Sequence, residues 1–256
     1  MPSPTALPPV LALYSDFDDD AFVAMLKGKL LRYTPQARLV DVSHRLPRFD
    51  ILQAAMLLRR VYSHYPAGTI HLIGIDSGIG QRRVLATRTG GQIFLAPDNG
   101  VLGLILDREP AAVHAIPVPD GISFLARDLL APLAARLAER EALSSLGPEV
   151  TDWRRIALPQ PQAVAEGWQG EVLFVDSFGN VVTNFTRAQI AAAPAPPPTL
   201  HLGSTAIASW CSDYSQAPPE ELFLLWGADG WLEISLLRAS AAQRLDARAG
   251  TTLILR

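Results

Sequence analysis

The sequence has 256 residues, of which 49% are hydrophobic and 18% are charged, and its formal net charge is −3. This length suits one large domain or two smaller ones, and the slight negative charge argues against nucleic acid as a partner. The single cysteine, Cys211, excludes an internal disulfide and is typical of a reducing compartment. Because no stretch approaches ~18 uninterrupted apolar residues and the N-terminus lacks a basic region, we expect a cytoplasmic protein with no signal peptide and no membrane contact.

The first half of the sequence alternates strand-like and helix-like segments. Residues 9–15 form an apolar run typical of a buried strand, and residues 20–32 have apolar positions at helical spacing. Asp20 is the expected N-cap of that helix, and Asp18 and Asp19 are expected to be solvated loop charges. The other predicted elements are strands at 37–43, 69–76, 82–88, 92–96 and 112–118 and helices at 50–65, 99–106 and 126–141. Such alternation predicts an α/β domain with a largely parallel sheet.

The second half of the sequence has a different pattern. A Pro-rich, non-periodic stretch interrupts the alternation, and we predict a linker at 151–167. Short strands separated by turn residues follow, among them the hairpin signal LFLLW-GADG-WLEIS. These features predict an α/β N-terminal domain at 1–150 that binds the ligand, followed by a small antiparallel β-barrel domain at 168–256.

Four polar segments each follow a predicted strand. They are SDFDDD (15–20), DSGIGQRR (76–83), APDNG (96–100) and DSFGNVVTN (176–184). Ligands of open α/β sheets bind at the carboxyl ends of the strands, so the first three segments could line one crevice.

Each of these segments also has a purely structural interpretation. Asp76 and Arg83, seven positions apart across a glycine turn, either converge on a ligand or form a surface ion pair. Asp16 suits the two hydroxyls of a ribose, whereas its neighbours suit a helix cap. Asp176 and Asn180 equally suit an ordinary turn. No EF-hand, HExxH, CxxC, Walker or GxSxG pattern occurs in the sequence, so no metal site is predicted.

Taken together in this order, the motifs resemble the S-adenosylmethionine hydroxide adenosyltransferases, relatives of fluorinating and chlorinating enzymes that use the same substrate. The resemblance runs over nearly the whole chain and is carried by SDF, VDVSHRLPRFDILQAAMLL, GTIHLIGIDSGIGQRR, APDNGVL, GEVLFVDSFGNVVTN and GWLEISLLRASAA. It implies an α/β domain, a β-barrel and a homotrimer with active sites between subunits. It also implies that water displaces methionine from the 5′ carbon of S-adenosylmethionine, which gives adenosine, with no cofactor.

The resemblance implies roles for individual residues. Asp16 matches the aspartate that holds the ribose hydroxyls, and Asp20 matches the second acidic residue of that motif. Asp76 and Arg83 match the pair that positions and activates water, and an aspartate rather than a tyrosine at position 76 favours hydroxide over halide. Three further matches lie beside the substrate or at its methionine and adenine ends: Phe49, Asp176 and Asn180.

The sequence departs from the family pattern at several positions, among them Asp18, where a one-residue deletion removes a glycine, and Ala126, which replaces a glycine. The family segment FHGRD is FLARD here, so Leu125 replaces a histidine, while Ala228 replaces a serine and Leu237 an asparagine. The departures leave open a non-catalytic protein that binds adenosine or S-adenosylmethionine. An enzyme acting on another adenosine derivative and a metal enzyme built on the acidic cluster are further alternatives. His44, at the end of a predicted strand, is the histidine best suited to a functional role.

Overall fold

The computed structural model describes residues 7–75, 83–190 and 197–256. The chain divides into two compact units, Met1–Ala157 and Leu158–Arg256. The first is built on a mixed seven-stranded sheet with helices, and the second on an antiparallel, barrel-like eight-stranded sheet, so the predicted fold class is confirmed. Within the described ranges, no helix is long and apolar enough to cross a membrane.

The sheet of the first unit contains β1 (Val10–Ser15), β2 (Arg38–Ser43), β3 (Ile70–Gly74), β4 (Arg83–Thr89), β5 (Gln92–Pro97), β6 (Val113–Pro117) and β7 (Glu149–Val150). Their order is β2-β1-β3-β5-β4-β6-β7. The first four strands in this order run parallel, and β4, β6 and β7 add antiparallel pairs. β4 runs against β5, with Val84 opposite Pro97. The start of β4 therefore lies at the same edge of the sheet as the carboxyl ends of β1, β2, β3 and β5. We call this the carboxyl edge.

The helices of the first unit are α1 (Asp20–Tyr33), α2 (Ile51–Val61), α3 (Gly103–Leu106) and α4 (Ala131–Ala138), and a π-helical turn (Ala126–Leu130) precedes α4. The N-cap of α1 is Asp19, whose extended backbone lets its carboxylate accept from the backbone N–H groups of Ala21 and Phe22. The expectations that Asp20 is the cap and Asp19 a solvated loop charge are therefore wrong. Asp20 already lies in the first helical turn.

One hydrophobic core of the first unit lies between one face of the sheet and α1 and α4. Alternate residues of β1, β3, β4 and β5, such as Leu11 and Leu13 in β1, point into this core. A fully buried leucine of this kind contributes about 1.5–3 kcal/mol relative to an exposed one. The intervening residues Tyr14, His71 and Phe94 lie on the other face, where the ring of Tyr62, after α2, contacts Phe94.

The second unit contains β8 (Gln162–Val164), β9 (Gly167–Val175), β10 (Val181–Thr186), β11 (Leu200–Leu202), β12 (Thr205–Ile207), β13 (Leu222–Trp226), β14 (Trp231–Leu236) and β15 (Thr252–Leu255), with α5 (Arg187–Ile190) and α6 (Ala241–Leu245). The order is β12-β11-β15-β9-β10-β14-β13, and β8 pairs with β9. A bridge between Trp210 and Leu224 joins the segment after β12 to β13, which nearly closes the sheet. The predicted β13–β14 hairpin is confirmed, and Gly230 takes a positive φ of 80° in its turn.

The stretch predicted as a linker contributes to both units. The backbone N–H of Arg154 donates to Asp98 Oδ1 at 2.8 Å in the first unit. In the second unit β8 adds a strand beside β9. The functional division into 1–150, 151–167 and 168–256 stays a prediction.

Candidate functional site

Polar side chains gather at the carboxyl edge of the first unit. Asp16 directly follows β1, His44 follows β2, Asp98 and Asn99 follow β5, and Arg83 begins β4. Asp16 is only 8% exposed and Asp98 only 4%. Burying a carboxylate is costly unless it is paired and hydrogen-bonded, so the partners of these side chains decide what each can do. Asp76 lies outside the described residues.

Asp16 contacts Phe49, and both are predicted site residues. Asp16 Oδ2 accepts a hydrogen bond from the backbone N–H of Phe49 at 2.8 Å. This bond fixes the carboxylate, whose other oxygen can accept from a ligand. Phe49 has a left-handed backbone, with φ of 63°, and its residue is 64% exposed. A non-glycine residue in that conformation costs about 1–2 kcal/mol, and strained residues of this kind cluster at ligand sites. The structure therefore presents an anchored carboxylate beside an exposed aromatic ring.

Arg83 is held by two acidic residues. Its Nε donates to Asp98 Oδ2 at 2.6 Å, and its Nη1 and Nη2 donate to Asp152 Oδ1 and the Asp152 carbonyl at 3.1 and 3.0 Å. Burial disfavours the charge on Arg83, but the bonds to Asp98 and Asp152 outweigh burial and raise its pKa. A guanidinium has five N–H donors, so two remain beyond these bonds to described residues. Arg83 is thus a fixed cation at the carboxyl edge.

Asp20 lies in the first turn of α1. It lines a groove of about 600 Å³ between the start of α1 and the end of β2, together with Lys27, Asp41 and His44. No group of three or more His, Cys, Asp or Glu side chains in the described ranges is arranged to hold a metal ion. Asp19 therefore caps α1, and Asp18, Asp19 and Asp20 line one side of the groove.

His44 links two neighbouring strand ends. Its Nδ1 lies 2.7 Å from Ser15 Oγ and its Nε2 lies 2.9 Å from Asp41 Oδ1. Lys27 Nζ also donates to Asp41, at 2.5 Å. Burial raises the pKa of Asp41, but the bonds from Lys27 and His44 outweigh it and hold this pKa below its usual value. Sequence reasoning singled out His44 but missed Ser15 and Asp41. The DVSH spacing, with Asp41 three positions before His44, was the one available signal.

The position of the family histidine is apolar and packed. Leu125 is partly buried and packs against the core of the first unit. The next residue, Ala126, opens the π-helical turn that lies close to β3, since a β-carbon at Gly74 would approach the Ala126 Cβ to 3.1 Å. The rings of Phe17 and Phe124 meet nearby with centroids 5.2 Å apart. Leu125 therefore offers no proton acceptor at this position.

Asp176 and Asn180 form one turn in the second unit. Asp176 Oδ1 accepts from the backbone N–H groups of Phe178 and Asn180, both at 2.9 Å. Asp176 Oδ2 accepts from Asn180 Nδ2, also at 2.9 Å. These three bonds close the turn between β9 and β10 and leave the ring of Phe178 exposed at its tip.

Tyr214, also in the second unit, is a polar residue that the sequence did not single out. Its hydroxyl lies 3.2 Å from Ser235 Oγ, and burial is the main cause that raises its pKa.

Comparison with known proteins covers both units. The family described as SAM hydroxide adenosyltransferase matches residues 11–147 through its N-terminal domain and residues 170–254 through its C-terminal domain. An (R)-S-adenosyl-L-methionine hydrolase of Salinispora arenicola is 33% identical in an alignment of 251 residues, and the match covers 91% of this chain and 92% of the relative. A fluorinase of an Actinoplanes species is 26% identical in an alignment of 221 residues, and the match covers 72% of this chain and 74% of the relative. The crystal structure of an uncharacterized conserved protein from Thermotoga maritima, 25% identical, has a TM-score of 0.85 and covers 96% of this chain and 99% of its own.

Proposed function

Because this chain belongs to the SAM hydroxide adenosyltransferase family, we propose that it hydrolyses S-adenosylmethionine to adenosine and methionine. The observation that carries the proposal is the anchored carboxylate of Asp16 beside the exposed ring of Phe49. A carboxylate at the end of a first strand suits the two ribose hydroxyls, and an aromatic ring suits an adjacent apolar surface of the substrate.

The reaction needs positioning more than covalent help. An oxygen–carbon bond forms between water and the 5′ carbon, the carbon–sulfur bond breaks, and its electron pair stays on sulfur to give neutral methionine thioether. The water loses one proton to a base or to solvent. Holding both reactants in line supplies up to about 7–11 kcal/mol of the barrier reduction. Asp16 holds the ribose in this proposal, and the fixed charge of Arg83 stabilises the developing hydroxide.

The remaining sequence-derived roles extend this proposal. Asp76 positions and activates the water with Arg83, and Asp20 faces the substrate from the start of α1. Asp176 and Asn180 act at the methionine and adenine ends through the turn that they form. No cofactor is required, since S-adenosylmethionine is the substrate. The 1–150 domain binds this substrate, and the protein acts in the cytoplasm as a homotrimer, which sedimentation analysis of the purified protein would test.

Hydrolysis is favoured over halogenation by two observations. The hydrolase of Salinispora arenicola is more similar to this chain, and over more of its length, than the Actinoplanes fluorinase. The family resemblance also implies a tyrosine in the halogenating enzymes at the position of Asp76, and a carboxylate attracts a water proton but repels a halide.

A second candidate function is binding without turnover. It is favoured by Leu125, because a core-packed leucine cannot replace a histidine that accepts or orients a proton. General acid–base help is typically worth about 10²–10⁴-fold in rate. The two functions therefore differ in rate and share the same ligand.

One experiment separates these functions. Purified protein is incubated with S-adenosylmethionine, adenosine and methionine are followed by chromatography, and binding is measured by calorimetry. Equal amounts of both products would support hydrolysis, and their loss in Asp76→Ala and Arg83→Ala would support the assigned water site. Binding without product would favour the second function, and activity lost to a chelator and restored by a divalent metal would revive the metal-enzyme alternative.

A further inference from the structure

Three side chains at the outer end of the sheet form one hydrogen-bonded triad, Ser15–His44–Asp41. Ser15 ends β1, His44 follows the end of β2, and Asp41 lies within β2. The distances are 2.7 Å from Ser15 Oγ to His44 Nδ1 and 2.9 Å from His44 Nε2 to Asp41 Oδ1. Two parallel strands that diverge into separate loops are thus joined at their ends by side chains.

The charges of the triad fix its proton positions. An ionised carboxylate only accepts hydrogen bonds, so the hydrogen between His44 and Asp41 belongs to Nε2. In a neutral imidazole, Nδ1 is then the acceptor, and it receives the hydroxyl hydrogen of Ser15. Lys27 binds the other oxygen of Asp41 and keeps that carboxylate oriented toward the ring. All three members therefore have complementary roles and one preferred arrangement.

The triad does not serve as a nucleophilic catalytic set. Ser15 is 0% exposed, so its hydroxyl has no access to a substrate carbon. The His44 side chain is only 14% exposed, and both of its ring nitrogens are used within the protein. An oriented histidine with a buried serine can hold a backbone in place, but it cannot attack a ligand.

The position of the triad next to Asp16 gives it a role. Ser15 is the residue before Asp16, and the backbone N–H of Asp18 donates to the His44 carbonyl at 2.9 Å. On the far side of the same loop, the N–H of Phe49 donates to Asp16 Oδ2. Three hydrogen bonds therefore join the loop after β1 to the segment after β2, and Asp16 is the first residue of the loop after β1.

Backbone strain in the two loops shows why such ties are needed. Asp18 and Phe49 have left-handed φ values of 47° and 63°, although neither is glycine. Residues in that region persist only when surrounding contacts determine their conformation. Here the N–H of each strained residue makes one of the ties, to the His44 carbonyl and to the Asp16 carboxylate. His44 thus contributes two of the three bonds that keep Asp16 in its observed orientation.

We propose that His44, held by Asp41 and bonded to Ser15, is a positioning residue that orients the Asp16 carboxylate for the ribose of the substrate. This inference rests on the proposed function and adds residues to it. Because the ribose is held equally before and during the reaction, loss of the triad should weaken binding more than it slows the chemical step.

The test compares two substitutions at one position. His44→Leu keeps much of the side-chain volume but removes the side-chain bonds to Ser15 and Asp41, while the His44 carbonyl can still accept from Asp18. It should raise the KM for S-adenosylmethionine and the Kd for adenosine about 10-fold, which is about 1.4 kcal/mol. Its kcat should change by less than about threefold. His44→Asn places an amide oxygen where Nδ1 lies, keeps the bond from Ser15, and should recover most of the affinity. His64→Asn, an exposed histidine beyond the end of α2, is the matched control and should behave as wild type.

A double-mutant cycle shows whether His44 acts through Asp16. If it does, His44→Leu adds no further loss of adenosine affinity in an Asp16→Asn background, because the oriented carboxylate is already gone. Fully multiplicative losses would overturn the proposal, as would a rise in KM that His44→Asn does not rescue. If His44→Leu does not fold in a thermal-unfolding assay, Ser15→Ala replaces it in the same cycle with the same expected result.

Failure of the inference and failure of the proposed function give different results. A wild-type protein that cleaves S-adenosylmethionine, with multiplicative losses in the cycle, overturns the role of His44 alone. A wild-type protein that neither binds adenosine nor cleaves S-adenosylmethionine overturns the proposed function, and the positioning role is overturned with it.

Discussion

The Asp98→Asn substitution probes the buried charge pair at the carboxyl edge. Asp98 is 4% exposed, and its two oxygens accept from Arg83 Nε at 2.6 Å and from the Arg154 N–H at 2.8 Å. Asparagine has one oxygen and one NH₂ group, so it can keep one of these bonds and must turn a donor toward the other donor. A hydrogen bond to a charged group contributes about 1.5–3 kcal/mol. Because Asp152 still pairs with Arg83, we expect the free energy of unfolding to fall by about 2 kcal/mol.

Thermal unfolding followed by circular dichroism measures this loss. At about 2–4 °C per kcal/mol for a protein of this size, the unfolding midpoint of Asp98→Asn should fall by about 4–8 °C. Asp107→Asn is the matched control, since Asp107 pairs with Arg155 at 3.3 Å on the surface, where the side chains are 48% and 61% exposed. An exposed pair contributes about 0–1 kcal/mol, so the midpoint of the control should move by about 4 °C or less, and by less than that of Asp98→Asn.

The same two variants report on the proposed role of Arg83. In Asp98→Asn, Asp152 is the remaining carboxylate partner of the guanidinium among the described residues, so Arg83 becomes less well oriented. We expect kcat/KM for S-adenosylmethionine to fall at least about 10-fold in Asp98→Asn, whereas Asp107→Asn keeps wild-type turnover. Equal unfolding midpoints for the two variants would refute the reasoning, because the buried bonds would then contribute no more than exposed ones. Unchanged turnover with a lowered midpoint would refute only the role of Arg83.

Three further substitutions test other parts of the structure. Asp16→Asn should weaken adenosine binding about 10-fold in calorimetry, because a neutral amide accepts ribose hydroxyls less well than a carboxylate; unchanged affinity would exclude the ribose contact. Burial lowers the pKa of His71 from 6.5 to about 4, so between these pH values the unfolded chain binds a proton that the folded chain does not. Stability should therefore fall by about 3 kcal/mol as the pH drops through this window, and His71→Gln, which does not titrate, should show a shallower fall in denaturant titrations; parallel pH profiles would contradict this. Asp19→Ala should lower stability by about 1 kcal/mol through loss of the N-cap, more than Asp20→Ala does, and the reverse order in thermal melts would restore Asp20 as the cap.

The fold was predictable where the signal is continuous along the sequence. The apolar run of β1 and the helical periodicity of α2 predicted these elements to within a few residues. Burial requires apolar residues at regular positions along a helix or strand, and this regular spacing is visible in the sequence. The helix predicted at 99–106 is limited to α3. Its first residues form turns instead, since the Asn99 side chain accepts from a nearby backbone N–H and Gly100 has a φ of 101°. Side-chain turn chemistry of this kind leaves no periodic trace.

The site was less predictable because its contacts depend on strand order. The sequence indicated Asp16 and Arg83 as functional residues, but it did not reveal that Arg83 binds Asp98 and Asp152, which lie 15 and 69 positions away. Only the antiparallel placement of β4 beside β5 brings Arg83 and Asp98 together. The bond between Ser15 and His44 likewise requires that β1 and β2 be parallel neighbours. The sequence thus indicated which residues are functional, whereas their hydrogen-bond partners depend on the order of the strands in the sheet.

The leucine at position 125 is compatible with hydrolysis once the leaving group is considered. Sulfur departs from the substrate as a neutral thioether, so no acid has to protonate it, and a missing histidine removes help only on the side of the attacking water. That help is worth about 10²–10⁴-fold, while in-line positioning is worth up to about 7–11 kcal/mol. Asp16 and Arg83, which we propose as the positioning groups, are both held by hydrogen bonds. A guanidinium that is only 14% exposed also favours hydroxide over water, because a buried cation lowers the free energy of a nearby anion more strongly than an exposed one does. We therefore expect Leu125 to slow the reaction without changing its products.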